Sequence, residues 1–304
     1  MTAALTFATR PSALARWQTN HVIERLQHAW PGLTCSTEII ATQGDRVLDK
    51  PLPEIGGKGL FTYELEEALR AGRVDAAVHS LKDLPTENAP GLAVGAIPLR
   101  ADLRDAWICP GGHTLHTLPE GAVVGTSSTR RRAQLLARRP DLNVQPIRGN
   151  VDTRLHKVQA GHYDAIILAV AGVTRLGLQA HVTFYLSLDD MLPAPGQGAL
   201  AVQCRAADEK TLGFLRAVED APTRRAVTAE RAFLETLGGG CSLPVGAHAY
   251  PKGDTLTLRG VVLSPGGERR IELACEGTDP IQVGVSLAQE ALAQGVAEWF
   301  EGVA

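Results

Sequence analysis

The sequence predicts two successive α/β units followed by a small α+β unit with an antiparallel sheet. Three observations predict it. Short apolar strand patterns alternate with helix patterns, and the alternation restarts near residue 105. A breaker-rich run, Pro193-Ala-Pro-Gly-Gln-Gly198, then leads into one further strand. Beyond residue 220 the order becomes helix, three alternating strands and a closing helix.

In the first unit, Leu5–Ala8 reads as a strand and Pro11–Trp30 as a helix, with Pro and Ser at its start and Leu14, Trp17, Val22 and Leu26 roughly on one side. Leu33–Ala41 is a strand. Phe61–Ala71 is a helix ended by Gly72, and Asp75–His79 and Leu92–Ile97 are short buried-type strands. In the second unit, Ala106–Cys109, Ala122–Gly125, Val144–Ile147 and Asp164–Val170 read as strands. Arg130–Arg138 and Val151–Ala160 read as helices. Both units predict a βαβ-type parallel pattern. The strand Ala199–Cys204 and a helix near Asp208–Val218 follow the breakers. Pro222–Leu237 is a helix, Gly238–Ser242 a loop, and Val245–Tyr250, Thr255–Ser264 and Arg269–Cys275 are strands joined by Gly/Pro/Asp turns. Pro280–Phe300 reads as one long helix.

Length and composition bound the function. The 304 residues suffice for two or three domains. A net charge of −3 argues against a nucleic-acid binder. No apolar run reaches the roughly 18 residues of a membrane span, and the start lacks a signal-peptide pattern, so a cytoplasmic location is expected. The five cysteines, Cys35, Cys109, Cys204, Cys241 and Cys275, show no CxxC spacing, which argues against a disulfide framework or a zinc site. Arginine outnumbers lysine 24 to 6. Genomic base composition accounts for much of that ratio, but not for where the arginines sit.

They sit at strand-to-helix turns, where free backbone N–H groups and the helix dipole favour an anion. Ala8-Thr-Arg-Pro-Ser12 offers Arg10 and Ser12, and reads equally well as a plain cap. Gly125-Thr-Ser-Ser-Thr-Arg-Arg-Arg132 sets hydroxyls beside arginines that open a helix. Cations there oppose the dipole and require a compensating anion. Ile147-Arg-Gly-Asn150 with Arg154, and Arg175 after a strong strand, add guanidinium groups at further loop tips. In open α/β sheets such strand ends bind ligands. His79-Ser-Leu-Lys-Asp-Leu-Pro85 places Ser80, Lys82 and Asp83 together, as a loop salt bridge or as a carboxylate managing N–H chemistry. Gly56-Gly-Lys-Gly-Leu-Phe61 reads as a linker or as a loop that closes over a ligand, with Lys58 and Phe61 its contacts. Gly238-Gly-Gly-Cys-Ser242 leaves the Cys241 thiol sterically open with no local base. That suits attachment better than turnover, although the residue read alone is more readily structural.

Nine strings in this order resemble the porphobilinogen deaminase (hydroxymethylbilane synthase) family. They are ATRPS (8–12), GGKGLF (56–61), AVHSLKDLP (77–85), VGTSSTRRR (124–132), IRGNVDTRL (147–155), YDAIILAVAGVTRLGL (163–178), LPAPGQGAL (192–200), TAERAFL (228–234) and LGGGCSLPVG (237–246). Pro11, Thr129 and Arg132 depart from common forms of these strings, and Glu54, near the GGKGLF loop, stands where a basic residue can occur.

The resemblance implies two periplasmic-binding-protein-like α/β domains, the first discontinuous (1–98 with 199–218) and the second spanning 103–192. A small α+β domain, 221–304, would bear the cofactor. It implies a transferase of tetrapyrrole (haem) biosynthesis that joins four porphobilinogen molecules head to tail with loss of ammonia. The primer would be a dipyrromethane bound to Cys241 by a thioether. Asp83 would be catalytic. Lys82, Ser80, Thr126, Ser128, Arg130, Arg131 and Arg148 would bind the cofactor. Arg10, Ser12, Gln18, Lys58, Phe61, Arg148, Arg154 and Arg175 would bind substrate. No metal, nucleic acid or membrane is implied, the chain would be a monomer, and uroporphyrinogen-III synthase would receive the product. Each pyrrole carries two carboxylates, so six rings bring about a dozen negative charges for arginines and helix N-termini to hold. Two other classes remain in view. A non-catalytic anion-binding protein with two lobes explains the arginines but not the GGGC loop. A phosphate-transfer enzyme lacks its GxxxxGK[ST] loop here.

Overall fold

The computed structural model describes residues 3–46, 59–240 and 243–300. Along the chain, β1 (Ala4–Thr9), α1 (Ala13–Ala29), β2 (Thr34–Ile39), α2 (Gln43–Arg46), α3 (Tyr63–Arg70), β3 (Ala76–Ser80) and β4 (Leu92–Ala96) come first. Next are β5 (Asp105–Ile108), β6 (Val123–Gly125), α4 (Thr129–Arg138), β7 (Asn143–Gln145), α5 (Val151–Gln159), β8 (Ala165–Ala169), α6 (Val170–Arg175) and β9 (Phe184–Tyr185). Then follow β10 (Leu200–Arg205), α7 (Glu209–Leu215), α8 (Ala221–Thr236), β11 (Val245–Lys252), β12 (Thr255–Leu263), β13 (Arg270–Gly277) and α9 (Pro280–Ala293).

These elements form two compact units, residues 1–101 with 199–224 and residues 102–198 with 225–304. The sheet of the first has order β2-β1-β3-β10-β4; the α/β sheet of the second has order β7-β6-β8-β5-β9. The two orders correspond position for position. In each, four strands share one direction and the fourth in order, β10 or β5, runs antiparallel to both neighbours. The first unit is discontinuous in sequence. Both sheets modify the expected parallel pattern, because each fourth strand enters only after the chain has passed through the other unit. The third sheet, β11-β12-β13, is an antiparallel meander within the second unit.

Period-two alternation buries both faces of each α/β sheet. Phe7, Ala76 and Val78 pack on one face of the first sheet with Val22 and Leu26 of α1; Ala8 and Ala77 pack on the other with Leu65 and Leu69 of α3. In the second sheet Trp107, Ala165 and Ile167 share a core with Leu135 of α4, and Ile108, Ile166 and Leu168 share one with Leu155 of α5. Phe233 of α8 and Leu287 of α9 cover the inner face of the meander. The breaker run is tied down from inside: Glu230 of α8, fully buried, accepts from Gly196 N at 2.7 Å and from Ala249 N at 2.9 Å.

Three elements differ from expectation. Val170 opens α6 rather than ending a strand. The predicted closing helix stops at Ala293, and a 3-10 turn, Val296–Phe300, follows Gly295, whose φ of +81° suits glycine and cannot continue a helix. Strand β9 escaped detection because two exposed residues carry no readable alternation.

Candidate functional site at the strand ends

In the first unit, β1 delivers Arg10 into the turn before α1. Ser12 caps that helix, its Oγ accepting from Ala15 N at 3.2 Å. Arg10 is already engaged. Its Nε donates to Asp45 Oδ2 at 3.1 Å and its Nη2 to Oδ1, a two-pronged ion pair. The Phe61 ring lies 4.3 Å from the guanidinium carbon. Gly44 makes room for that ring, since a Cβ there would sit 2.1 Å from it. Asp45 also accepts from Thr42 N and Oγ1. Burial would raise its carboxyl, but Arg10 and Thr42 hold it below the usual carboxylate range.

Strand β3 runs straight into a 3-10 turn, Leu81–Asp83. Buried Leu81 anchors the turn, and its N–H donates to Ala199 O at 3.1 Å. Lys82 is half-buried and Asp83 exposed. Gln18, buried on α1, donates to Ser80 Oγ at 2.8 Å, so these two predicted residues do meet. Beneath them His79 is buried, with Nε2 3.1 Å from Gln203 Oε1. Burial pushes its pKa down to about 4, so the ring is neutral at pH 7.

In the second unit the turn between β6 and α4 is held by its own hydroxyls. Ser128 caps α4 (Arg131 N to Oγ, 3.4 Å), and Thr126 Oγ1 accepts from Ser128 N at 3.2 Å. Ser127 exchanges hydrogen bonds with Ile147 O and N, which fixes the neighbouring loop that carries Arg148. Arg154 Nε donates to Gly149 O at 2.8 Å. Arg175 Nη2 donates to Gly198 O at 2.8 Å, and burial lowers its pKa to about 10.

Arg130 and Arg131, expected from the sequence to receive an external anion, also have a carboxylate partner inside the chain. Buried Asp105 at the start of β5 accepts from Arg130 Nη2 at 2.8 Å and from Arg131 Nε and Nη2 at 3.2 and 2.7 Å. Burial would raise the Asp105 carboxyl, but the two arginines hold it well below the usual carboxylate range. Among the buried side-chain atoms without a hydrogen-bond partner in the described residues of this unit are two guanidinium donors, Arg130 Nε and Arg148 Nη1. Sequence reasoning missed Asp45, Asp105 and Gln203. The only available signal was an acid opening an apolar strand in Arg104-Asp-Ala-Trp-Ile108. Cys241 and Lys58 lie outside the described residues.

The fold and these strand ends define an α/β protein with several guanidinium groups fixed by hydrogen bonds at or after strand ends. Two family models match the chain: "Porphobilinogen deaminase, dipyromethane cofactor binding domain" over residues 5–213, and "Porphobilinogen deaminase, C-terminal domain" over 224–293. The porphobilinogen deaminase of Brevibacillus brevis is 48% identical, over 95% of this chain and 94% of that protein. The porphobilinogen deaminase of a Roseiflexus species is 51% identical, over 97% and 98%. Among solved structures, the Bordetella pertussis BvgS VFT2 domain aligns with 75% of this chain and 92% of its own at 15% identity and a TM-score of 0.44. The chain belongs to the porphobilinogen deaminase family. A dipyrromethane bears carboxylate side chains, and the residues present fit it: one buried guanidinium donor without an acceptor, Arg130 Nε, follows the turn that carries Thr126 and Ser128, and another, Arg148 Nη1, is on the neighbouring loop that Ser127 ties to that turn.

Proposed function

We propose that the chain polymerises four porphobilinogen molecules head to tail, with loss of ammonia, into hydroxymethylbilane. The observation that carries this reading is the pair of buried donors, Arg130 Nε and Arg148 Nη1, that lack an acceptor within a chain of this family. When bound, the dipyrromethane supplies the primer to which the first substrate ring is joined, and Cys241 is its thioether attachment point.

The residues then divide the work. Lys82, Ser80, Thr126, Ser128 and Arg148 receive cofactor carboxylates, and Arg130 and Arg131 do so with the N–H groups that Asp105 leaves over. Arg10, Ser12, Gln18, Lys58, Phe61, Arg154 and Arg175 receive the carboxylates of substrate. Asp83 stands exposed at the tip of an anchored turn. Loss of the aminomethyl nitrogen leaves positive charge on the substrate ring nitrogen, and a carboxylate beside that N–H stabilises it and takes up the proton released on coupling. The first two α/β domains (1–98 with 199–218, and 103–192) serve binding and chemistry, and 221–304 carries the cofactor. A cytoplasmic monomer that passes its product to uroporphyrinogen-III synthase completes the reading.

Intact mass tests it. The purified chain should exceed its sequence mass by two linked pyrrole units and give colour with Ehrlich's reagent, and Cys241→Ser should lose both. Active protein of unmodified mass would overturn the cofactor assignment.

A further inference from the structure

Asp105 has no role in the scheme above, yet it accepts four side-chain hydrogen bonds. It is fully buried at the first position of β5. Its Oδ1 accepts from Arg131 Nε, Arg131 Nη2 and Gln197 Nε2, the last at 2.8 Å, and its Oδ2 accepts from Arg130 Nη2. The far sides of the two guanidinium groups are fixed as well, Arg130 Nη1 on Leu192 O at 2.6 Å and Arg131 Nη1 on Ile167 O at 3.0 Å. The planes of both groups are therefore set by the folded chain alone.

Charge is a separate matter. Two guanidinium groups face one carboxylate, and the side chains of all three are nearly or fully buried. A buried, uncompensated charge is costly. Arg130 Nε, equally buried, donates to nothing. The cluster is complete in shape and one negative charge short. A single carboxylate both balances it and offers an oxygen to the orphaned donor. A neutral ligand leaves the deficit, and a dianion overshoots it.

We infer that Asp105 is a positioning residue: it holds Arg130 and Arg131 as a preformed receptor for one carboxylate of the pyrrole cofactor. The inference rests on the cofactor assignment made above. Gln197, in the breaker run, extends the same control to the crossing segment, since its amide also donates to Leu103 O at 2.8 Å.

Intact mass of wild type, Asp105→Asn and Asp105→Glu, each purified after the same expression, tests it, with circular dichroism to show folding. Wild type should carry the two-pyrrole mass. Folded Asp105→Asn should carry less than about a tenth of it, because its arginines are no longer aligned, and Asp105→Glu should recover a larger share. Equal loading of wild type and Asp105→Asn would overturn the role of Asp105. Absence of the added mass from wild type would instead overturn the cofactor assignment. A second measurement does not depend on the variant folding. In ¹⁵N–¹H spectra of arginine side chains, the Arg130 Nε signal, identified by its loss in Arg130→Lys, should shift between Cys241→Ser and loaded wild type. An unmoved signal would overturn the inference.

Discussion

Replacing His79 by glutamine should remove an acid sensitivity that the first unit carries in its core. The wild-type ring is fully buried, bonded to Gln203, and has its pKa lowered from 6.5 to about 4, chiefly by burial. A histidine with a folded pKa below its unfolded one binds fewer protons in the folded state. Stability is therefore full above about pH 6.5 and falls as pH drops toward 4. With those two values, the linkage relation gives a loss of about 2 kcal/mol between pH 8 and pH 5 from this group alone. His79→Gln keeps an amide N–H for Gln203 Oε1 and does not titrate. Its own cost, from imperfect packing and hydrogen bonding, should be roughly 1–2 kcal/mol at pH 8. The deficit of the variant should therefore shrink, and can reverse, by pH 5. Urea unfolding at pH 8, 7, 6 and 5, read as ΔG for both proteins, measures this directly. Parallel curves, with the difference at pH 5 equal to that at pH 8, would refute the reasoning, because the ring would then titrate alike folded and unfolded.

Two further outcomes are expected. Asp83→Ala should fold and load cofactor normally, since the exposed carboxylate carries no fold contact that the anchoring Leu81 does not secure. It should lose at least about 10²–10⁴-fold in kcat, and near-normal turnover would remove Asp83 from the chemistry. Gly44→Ala forces a Cβ to within 2.1 Å of the Phe61 ring, so the ring must leave the Arg10 guanidinium. KM for porphobilinogen should change severalfold with little loss of stability, and an unchanged KM would show that the Arg10–Phe61 contact is idle in binding.

Much of the fold was legible because its signal is local. Strands such as Ile166–Leu168 are apolar on both faces, and helices such as α4 and α9 announce themselves by Ser128 and Asp279, whose side chains accept from first-turn N–H groups. The antiparallel placement of β5 and β10 was not legible, because a strand's direction in a sheet depends on where the chain has been, not on the strand's composition. The same distinction runs through the site. Arginines at strand ends could be found, since position after a strand is a sequence property. Their partners could not: Asp45 lies 35 residues from Arg10, and Asp105 lies 25 and 26 residues from Arg130 and Arg131. Nothing local marks Asp45, and the one local mark of Asp105, an acid opening an apolar strand, does not name its partners. Gln18 and Ser80, 62 residues apart, were each picked out by motif match, but their contact required the fold.

Those two internal carboxylates bear on how a chain that must hold many carboxylates can bind tightly and still move them along. A guanidinium free in solvent must lose rotamer entropy, at about 2 kcal/mol for a fully flexible arginine, each time it clamps a ligand. Arg130 and Arg131 have met that cost during folding, against Asp105, where burial is nearly complete and the geometry cannot relax. Arg10 has met it against Asp45, but half-exposed and with Asp45 also bonded to Thr42, so that Asp45 can release the arginine without becoming an unpaired buried charge. By burial, the Asp105 pairings cost more to break than the Arg10–Asp45 pair. A permanent receptor suits a group that stays bound between turnovers. An exchangeable pair suits substrate carboxylates that arrive, are joined and shift onward. The division of labour proposed for the arginines, cofactor on Arg130 and Arg131 and substrate on Arg10, is thus the one their internal partners favour.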